Sequence, residues 1–223
     1  MESIELKGKK CVLFGANDPL GMNIIKHLLE MGIEPGLIDI DGKETNLDLP
    51  QETVIPGDEK TFKRAVDNLS AKFGKIDFLI LSYYFEDKLK FFIDDPNLEK
   101  WDLIRERWVD SYFLCMKAIA PHFIKNRFGR VVFLNTLAGY TGEGEGEGEL
   151  IVENSSIYEC AASSAITGMM TSIARQIIPM GISVNGIAIR PNYMEDIERI
   201  NDAIDLWLSG VLTYSCGQII RIY

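Results

Sequence analysis

Residues 10–32 read KCVLFGANDPLGMNIIKHLLEMG, and the punctuation of this stretch decides the fold. Cys11-Val-Leu-Phe14 is apolar at every position, the pattern of a strand covered on both faces. Asp18, Pro19 and Gly32 then frame a helix predicted over 20–31, with an aspartate N-cap, a proline at the first helical position and a glycine stop. A buried strand leading through a glycine-bearing turn into a helix opens an α/β unit whose next strand runs parallel to the first.

Working outward, runs of strand length recur at 36–40, 53–55, 76–81, 130–135, 183–189 and 218–222, with helical patterns between them. Phe78-Leu-Ile-Leu81 is again wholly apolar. The alternation predicts a doubly wound parallel sheet of the Rossmann-like kind, in one domain over 1–223. Long helices are predicted over about 101–126, interrupted near Pro121, and about 156–178. Both are apolar over more than one face, so part of each is expected to meet another subunit.

Composition narrows the partners. The chain has 223 residues, 47% hydrophobic content and a formal net charge of -10, which opposes encounter with nucleic acid or an anionic membrane. The start, MESIELKGKK, lacks an apolar leader, and no segment reaches the roughly 20 apolar residues of a membrane span. A cytoplasmic location is expected. Cys11, Cys115, Cys160 and Cys216 lack metal or redox spacing and read as reduced, mostly buried thiols, while His27 and His122 are far apart in sequence, so no metal site is expected. The alternating Gly–Glu run at 142–149 can form neither a good helix nor a packed strand and reads as a mobile acidic loop. A cation site built from Glu143, Glu145, Glu147 and Glu149 is the sharper alternative.

Several stretches resemble the short-chain dehydrogenase/reductase (SDR) family in the family's order. Phe14-Gly-Ala-Asn-Asp-Pro-Leu-Gly21 resembles its TGxxxGxG turn, and Gly74-Lys-Ile-Asp-Phe-Leu-Ile80 the entry to its fourth strand. Phe113-Leu-Cys-Met-Lys-Ala118, Gly129-Arg-Val-Val132, Gly181-Ile-Ser-Val-Asn-Gly186 and Gly217-Gln-Ile-Ile220 are similar to later landmarks. The resemblance implies a site for NAD(P) and a proton relay of Ser, Tyr, Lys and Asn, in which a nearby ammonium tunes the tyrosine.

The functional positions depart from that pattern. Gly15 and Gly21 remain, but Phe14 replaces the leading Thr and Pro19 the middle glycine, removing an N–H donor where phosphate would lie. The Asn-Asn-Ala-Gly stretch beside the adenosine aligns with Leu81-Ser-Tyr-Tyr84, whose rings fill the space. Asp39 or Asp41 could hold a ribose, or could be an ordinary strand-end carboxylate. Thr136 stands at the serine position, Tyr158 close to the tyrosine, Trp108 at the asparagine, and Ala162 at the lysine, or Ser163 if the helix is aligned through Gly168. No lysine follows Lys125, and Arg175 is over four turns from Tyr158. The crossover over 41–52 is too short for its usual helix, and 191–217 is too short for the usual substrate lid. Asn192 replaces a glycine there, and Asp196 the threonine that contacts nicotinamide.

These losses predict a catalytically inactive SDR-type subunit that binds no cofactor itself. It would assemble, as a heterotetramer, with an active SDR paralogue carrying NAD, through the helices at about 101–126 and 156–178. The whole would be an NAD-dependent dehydrogenase of the alcohol or 3-hydroxyacyl-CoA type. The alternatives are an atypical reductase using Tyr158 and Thr136, and a module binding another ligand in the vacated cleft.

Overall fold

The computed structural model describes residues 5–40, 42, 45–82, 98–139, 157–190, 193–212 and 214–223. Its strands are β1 (Lys10–Phe14), β2 (Glu34–Asp39), β3 (Gln51–Thr53), β4 (Phe78–Leu81), β5 (Gly129–Thr136), β6 (Ile182–Ile189) and β7 (Ile219–Ile222). They form one parallel seven-stranded sheet in the order β3-β2-β1-β4-β5-β6-β7. The helices are α1 (Pro19–Glu30), α2 (Glu59–Phe73), α3 (Leu98–Ile104), α4 (Ser111–Asn126), α5 (Ile157–Ile177) and α6 (Ile197–Leu208).

Helices cover both faces of the sheet, which is why the inner strands are apolar at every position. Phe62 of α2, Tyr112 and Phe123 of α4 and Ile166 of α5 pack on one face with Val12, Phe14 and Phe133. Ile24 and Leu28 of α1 and Ile204 and Trp207 of α6 pack on the other with Cys11, Leu13 and Val132. Each fully buried side chain of this size stabilises the fold by about 1.5–3 kcal/mol relative to exposure. The strand order reverses between β1 and β4, so the crevice beyond their carboxyl ends is where such a sheet ordinarily takes a ligand.

Local signals explain most boundaries. Asp18 caps α1 with its side chain on the Gly21 N–H, Pro19 opens the helix, and Gly32 leaves it at φ +73°. Asp58 caps α2 in the same way through the Lys60 N–H. The expected break near Pro121 is corrected by the structure. Pro121 is exposed inside a continuous α4, and the irregular turn lies earlier, where a π-helical segment, Arg105–Asp110, joins α3 to α4. Ser111 Oγ donates to Glu106 O at 2.8 Å there, and the extra residue turns Trp108 inward.

Between β2 and β3 the described residues contain no helix, so the expected loss of the crossover helix holds among them. Leu47 and Leu49 pack against the core instead, and the Gln51 amide bonds the backbone of Thr45 and Leu47. Among the described residues between β6 and β7 there is one 3-10 turn, Tyr193–Asp196, and α6, whose Trp207 Nε1 donates to Gly186 O at 3.2 Å. Asp41, Tyr83, Tyr84, Asn192 and the 142–149 run lie outside the described residues. No described helix is long and apolar enough to cross a membrane.

Candidate functional site

The glycine turn after β1 is built from the chain's own anions. Asp39, at the end of β2 and nearly buried, reaches across to the turn: its Oδ2 accepts the Ala16 N–H at 3.0 Å and the Asn17 N–H at 2.9 Å. Its Oδ1 accepts the Ile40 N–H at 2.8 Å. Asp18 Oδ1 accepts the Gly21 N–H at 2.6 Å, inside the first turn of α1. Gly15 needs its positive φ of 87° to make the bend, and Gly21 has no room for a side chain, since a Cβ there would lie 2.2 Å from Gly15 O. Ser82 completes the enclosure, its hydroxyl within hydrogen-bond reach of Phe14 O (3.0 Å) and Gly15 O (2.9 Å).

The amides of this turn are already taken up by the chain's own carboxylates. A pyrophosphate at such a turn needs backbone N–H groups and the positive end of the helix. Here three of those amides already face carboxylates, Pro19 supplies none, and a bound phosphate would be repelled by both Asp18 and Asp39. Asp39 thus holds the turn through the backbone, while Gly15 and Gly21 keep their conformational role.

The second cluster lies at the carboxyl end of β5. The Tyr112 hydroxyl, fully buried, lies 2.9 Å from both Leu81 O and Leu134 O, which fixes α4 against the ends of β4 and β5. Trp108 sits about one helical turn earlier and is fully buried, and Thr136 ends β5. Trp108 Nε1 and Thr136 Oγ1 are both buried and have no hydrogen-bond partner among the described residues. Ser163 of α5 donates to Thr136 O at 2.9 Å and accepts the Gly139 N–H at 3.2 Å. Asn135 Nδ2 donates to Ser163 O at 2.8 Å.

These contacts locate the face of α5 that looks at β5. Residues four apart share a helix face, so Ser163 brings buried Glu159 with it. Tyr158 lies about 100° around the helix. It stacks on Trp101 of α3, ring centroids 6.4 Å apart, with Lys100 Nζ 6.0 Å from its ring centroid, and Ala162 is buried in the same apolar cluster. Thus Thr136 and Ser163 come together, with Glu159 buried on the Ser163 face of α5 and Tyr158 buried on the neighbouring face. Glu159 was not singled out in the sequence; its signal is the alternative register through Gly168, which places Ser163 at the lysine position and Glu159 four residues before it. Lys100, from another helix, was likewise not foreseen beside Tyr158.

Other titratable groups have structural partners. His27 Nε2 lies 2.7 Å from Asp205 Oδ1, and His122 bridges Asp67 and Ser70. Burial pushes the Cys11, Cys115 and Cys160 thiols up. No group of three or more metal-ligating side chains occurs among the described residues.

Residues 15–208 match the family model described as enoyl-(acyl carrier protein) reductase. The 3-oxoacyl-(acyl-carrier-protein) reductase FabG of Escherichia coli (strain K12) is 27% identical over 139 residues, 62% of this chain and 51% of the relative. The enzyme of that name from Rickettsia bellii (strain RML369-C) is 23% identical over 205 residues, 89% of this chain and 79% of the relative. The chain thus spans about half the length of the first curated relatives it matches. Among solved structures, an NAD+-bound xylitol dehydrogenase superposes with a TM-score of 0.79 at 18% identity, covering 98% of this chain and 99% of that one. The Cj0485 dehydrogenase superposes with a TM-score of 0.77 at 19% identity, over 98% and 94%.

Proposed function

Given that the chain belongs to the short-chain dehydrogenase/reductase family, we propose that it is a non-catalytic subunit that pairs with an active member of the same family. The observation that carries this reading is the self-occupied turn, in which Asp39 and Asp18 take the amides of Ala16, Asn17 and Gly21. The missing ammonium supports it, because no lysine follows Lys125 in the sequence and Ala162, or Ser163 if the helix is aligned through Gly168, stands where one is needed.

The pairing surface is α4 with α5. Phe113 and Ile124 of α4 are 50% and 42% exposed, and the outer face of α5 is made of Ala161, Ser164, Ala165 and Gly168. A Cβ at Gly168 would meet nothing within 4 Å. Small residues on one helix and large apolar ones beside it suit close helix-to-helix packing with a second chain. The partner carries NAD and the intact Tyr and Lys, in a cytoplasmic heterotetramer acting as an alcohol or 3-hydroxyacyl-CoA dehydrogenase. In its pattern of losses the chain resembles the inactive subunit of the 2-(hydroxybenzyl)succinyl-CoA dehydrogenase of anaerobic toluene degradation.

One observation favours a second reading, an atypical reductase: Lys100 lies over the Tyr158 ring, and the relatives cited above are named reductases. Low-stringency purification from the native host, with mass analysis of what accompanies the chain, separates the two. A second SDR chain with an intact Tyr and Lys is the expected companion. A lone homo-oligomer with NAD(P)-dependent turnover refutes the proposal.

A further inference from the structure

The amino-terminal edge of the sheet, opposite the crevice at the carboxyl ends of the strands, gathers cations round one ring. Lys9 precedes β1, Lys75 precedes β4, Phe128 precedes β5, and Arg130 is the second residue of β5. Lys9 Nζ, Lys75 Nζ and the Arg130 guanidinium carbon lie 5.6, 5.8 and 5.4 Å from the centroid of the Phe128 ring. Among the described residues one carboxylate serves both lysines: buried Asp77, whose Oδ1 is 3.9 Å from Lys9 Nζ and 2.8 Å from Lys75 Nζ. Its Oδ2 accepts the Lys10 N–H at 3.1 Å.

Arg130 is 6% exposed and has no carboxylate partner among the described residues. Nη1 donates to the neutral Ser183 hydroxyl at 3.2 Å, Nε is buried with no hydrogen-bond partner, and no described residue accepts from Nη2. A buried cation without an anion is costly, and buried charges are ordinarily paired. The ring attracts each cation, but the cations repel one another, and Asp77 balances only one of the three. This edge is therefore locally positive, although the formal net charge of the chain is -10.

Neighbouring strands are about 4.8 Å apart, so the points at which β1, β4 and β5 carry these side chains span roughly 10 Å. One compact phosphate does not cover that width. Carboxylates on alternate residues of an extended peptide recur at about 6.8 Å on one side of the chain and do cover it. We propose that this edge docks an acidic, extended segment of another protein, its alternate carboxylates held by Lys9, Lys75 and Arg130 around Phe128. Phe128 packs with α1 and α6, on the face of the sheet away from α4 and α5, so the proposal does not rest on the pairing reading.

The test uses the full chain and a fluorescent synthetic peptide alternating glutamate with threonine, read by anisotropy at about 0.05 M salt, where surface charges are weakly screened. Saturable binding is expected, with loss at about 0.5 M salt and none for the peptide carrying glutamine in place of glutamate. Lys9→Gln and Lys75→Gln, made singly so that Asp77 keeps one ammonium, should each weaken binding about fivefold. No binding to the unaltered chain, equal binding of the glutamine peptide, or undiminished binding to both folded variants overturns the proposal. Displacement of the peptide by equimolar pyrophosphate overturns it too, since that outcome marks a site for a compact anion. Sedimentation of the chain alone is expected to be unchanged by Lys75→Gln; a self-association lost in that variant identifies the occupant as a second copy and overturns the assignment to another protein.

Discussion

Replacing Asp39 with alanine separates the two roles a carboxylate can have at the end of β2. If it holds the turn, its removal strips the acceptor from the N–H groups of Ala16, Asn17 and Ile40 at once. A hydrogen bond to a charged group contributes about 1.5–3 kcal/mol net, and a buried donor left unmatched costs about 1–3 kcal/mol. Ala16 and Ile40 are buried, so their donors gain little from water, while half-buried Asn17 recovers part of its loss. The sum is a destabilisation of about 3–5 kcal/mol, a large share of the roughly 5–15 kcal/mol that holds a domain together. With a urea slope of about 2 kcal/mol per molar, the midpoint should fall by about 1.5–2.5 M. Equilibrium urea denaturation followed by tryptophan fluorescence measures it, with Trp108 and Trp207 buried on opposite faces of the sheet as reporters. Asp39→Asn retains one acceptor oxygen and should lose about half as much. A carboxylate poised for a ribose would contribute little to the apo fold. A loss below about 1 kcal/mol for Asp39→Ala would therefore refute the self-capped turn.

Three further outcomes follow from the packing. Gly21→Ala drives a Cβ to 2.2 Å from Gly15 O and 2.9 Å from Ala16 Cα, backbone atoms that cannot yield cheaply, so soluble yield should collapse or the melting temperature fall by at least about 10 °C in a thermal scan. Tyr112→Phe removes only the hydroxyl shared between Leu81 O and Leu134 O and should cost about 1–2 kcal/mol in urea without altering the far-ultraviolet spectrum. The Lys63 ammonium, and secondarily His122, hold the Asp67 carboxyl below its ordinary value. A depressed carboxyl contributes stability above the ordinary carboxylate range and loses it as pH falls through its folded value. Asp67→Asn should accordingly lower the urea midpoint at neutral pH, and the gap to the parent should close in strong acid.

Much of this fold was readable from residue order. Wholly apolar runs such as Cys11–Phe14 can only be inner strands of a sheet covered on both faces, and Asp18, Pro19 and Gly32 mark the ends of α1 by local backbone chemistry alone. The losses at Pro19 and at the lysine position were equally local. What sequence did not disclose depends on approach across the fold. Asp39 meets Ala16 and Asn17 only because β2 lies beside β1 in register, and nothing in its neighbours distinguishes a turn-capping aspartate from a ribose-binding one. The π-helical turn at 105–110 carries no breaker residue, while Pro121, the obvious breaker, is tolerated at an exposed position of α4. Whether Tyr158 or Glu159 takes the tyrosine position turns on a rotation of one residue along α5, which the spacing of tyrosine and alanine does not decide.

The central claim is that this chain contributes a surface and not a nucleotide site. Isothermal titration of NAD(H) and NADP(H) into the isolated, folded chain tests it most directly, with the melting temperature as a second readout, since any ligand that prefers the folded state must raise it. The account predicts no heat of binding and no melting shift at millimolar nucleotide. Saturable binding at micromolar nucleotide, with a raised melting temperature, would contradict it.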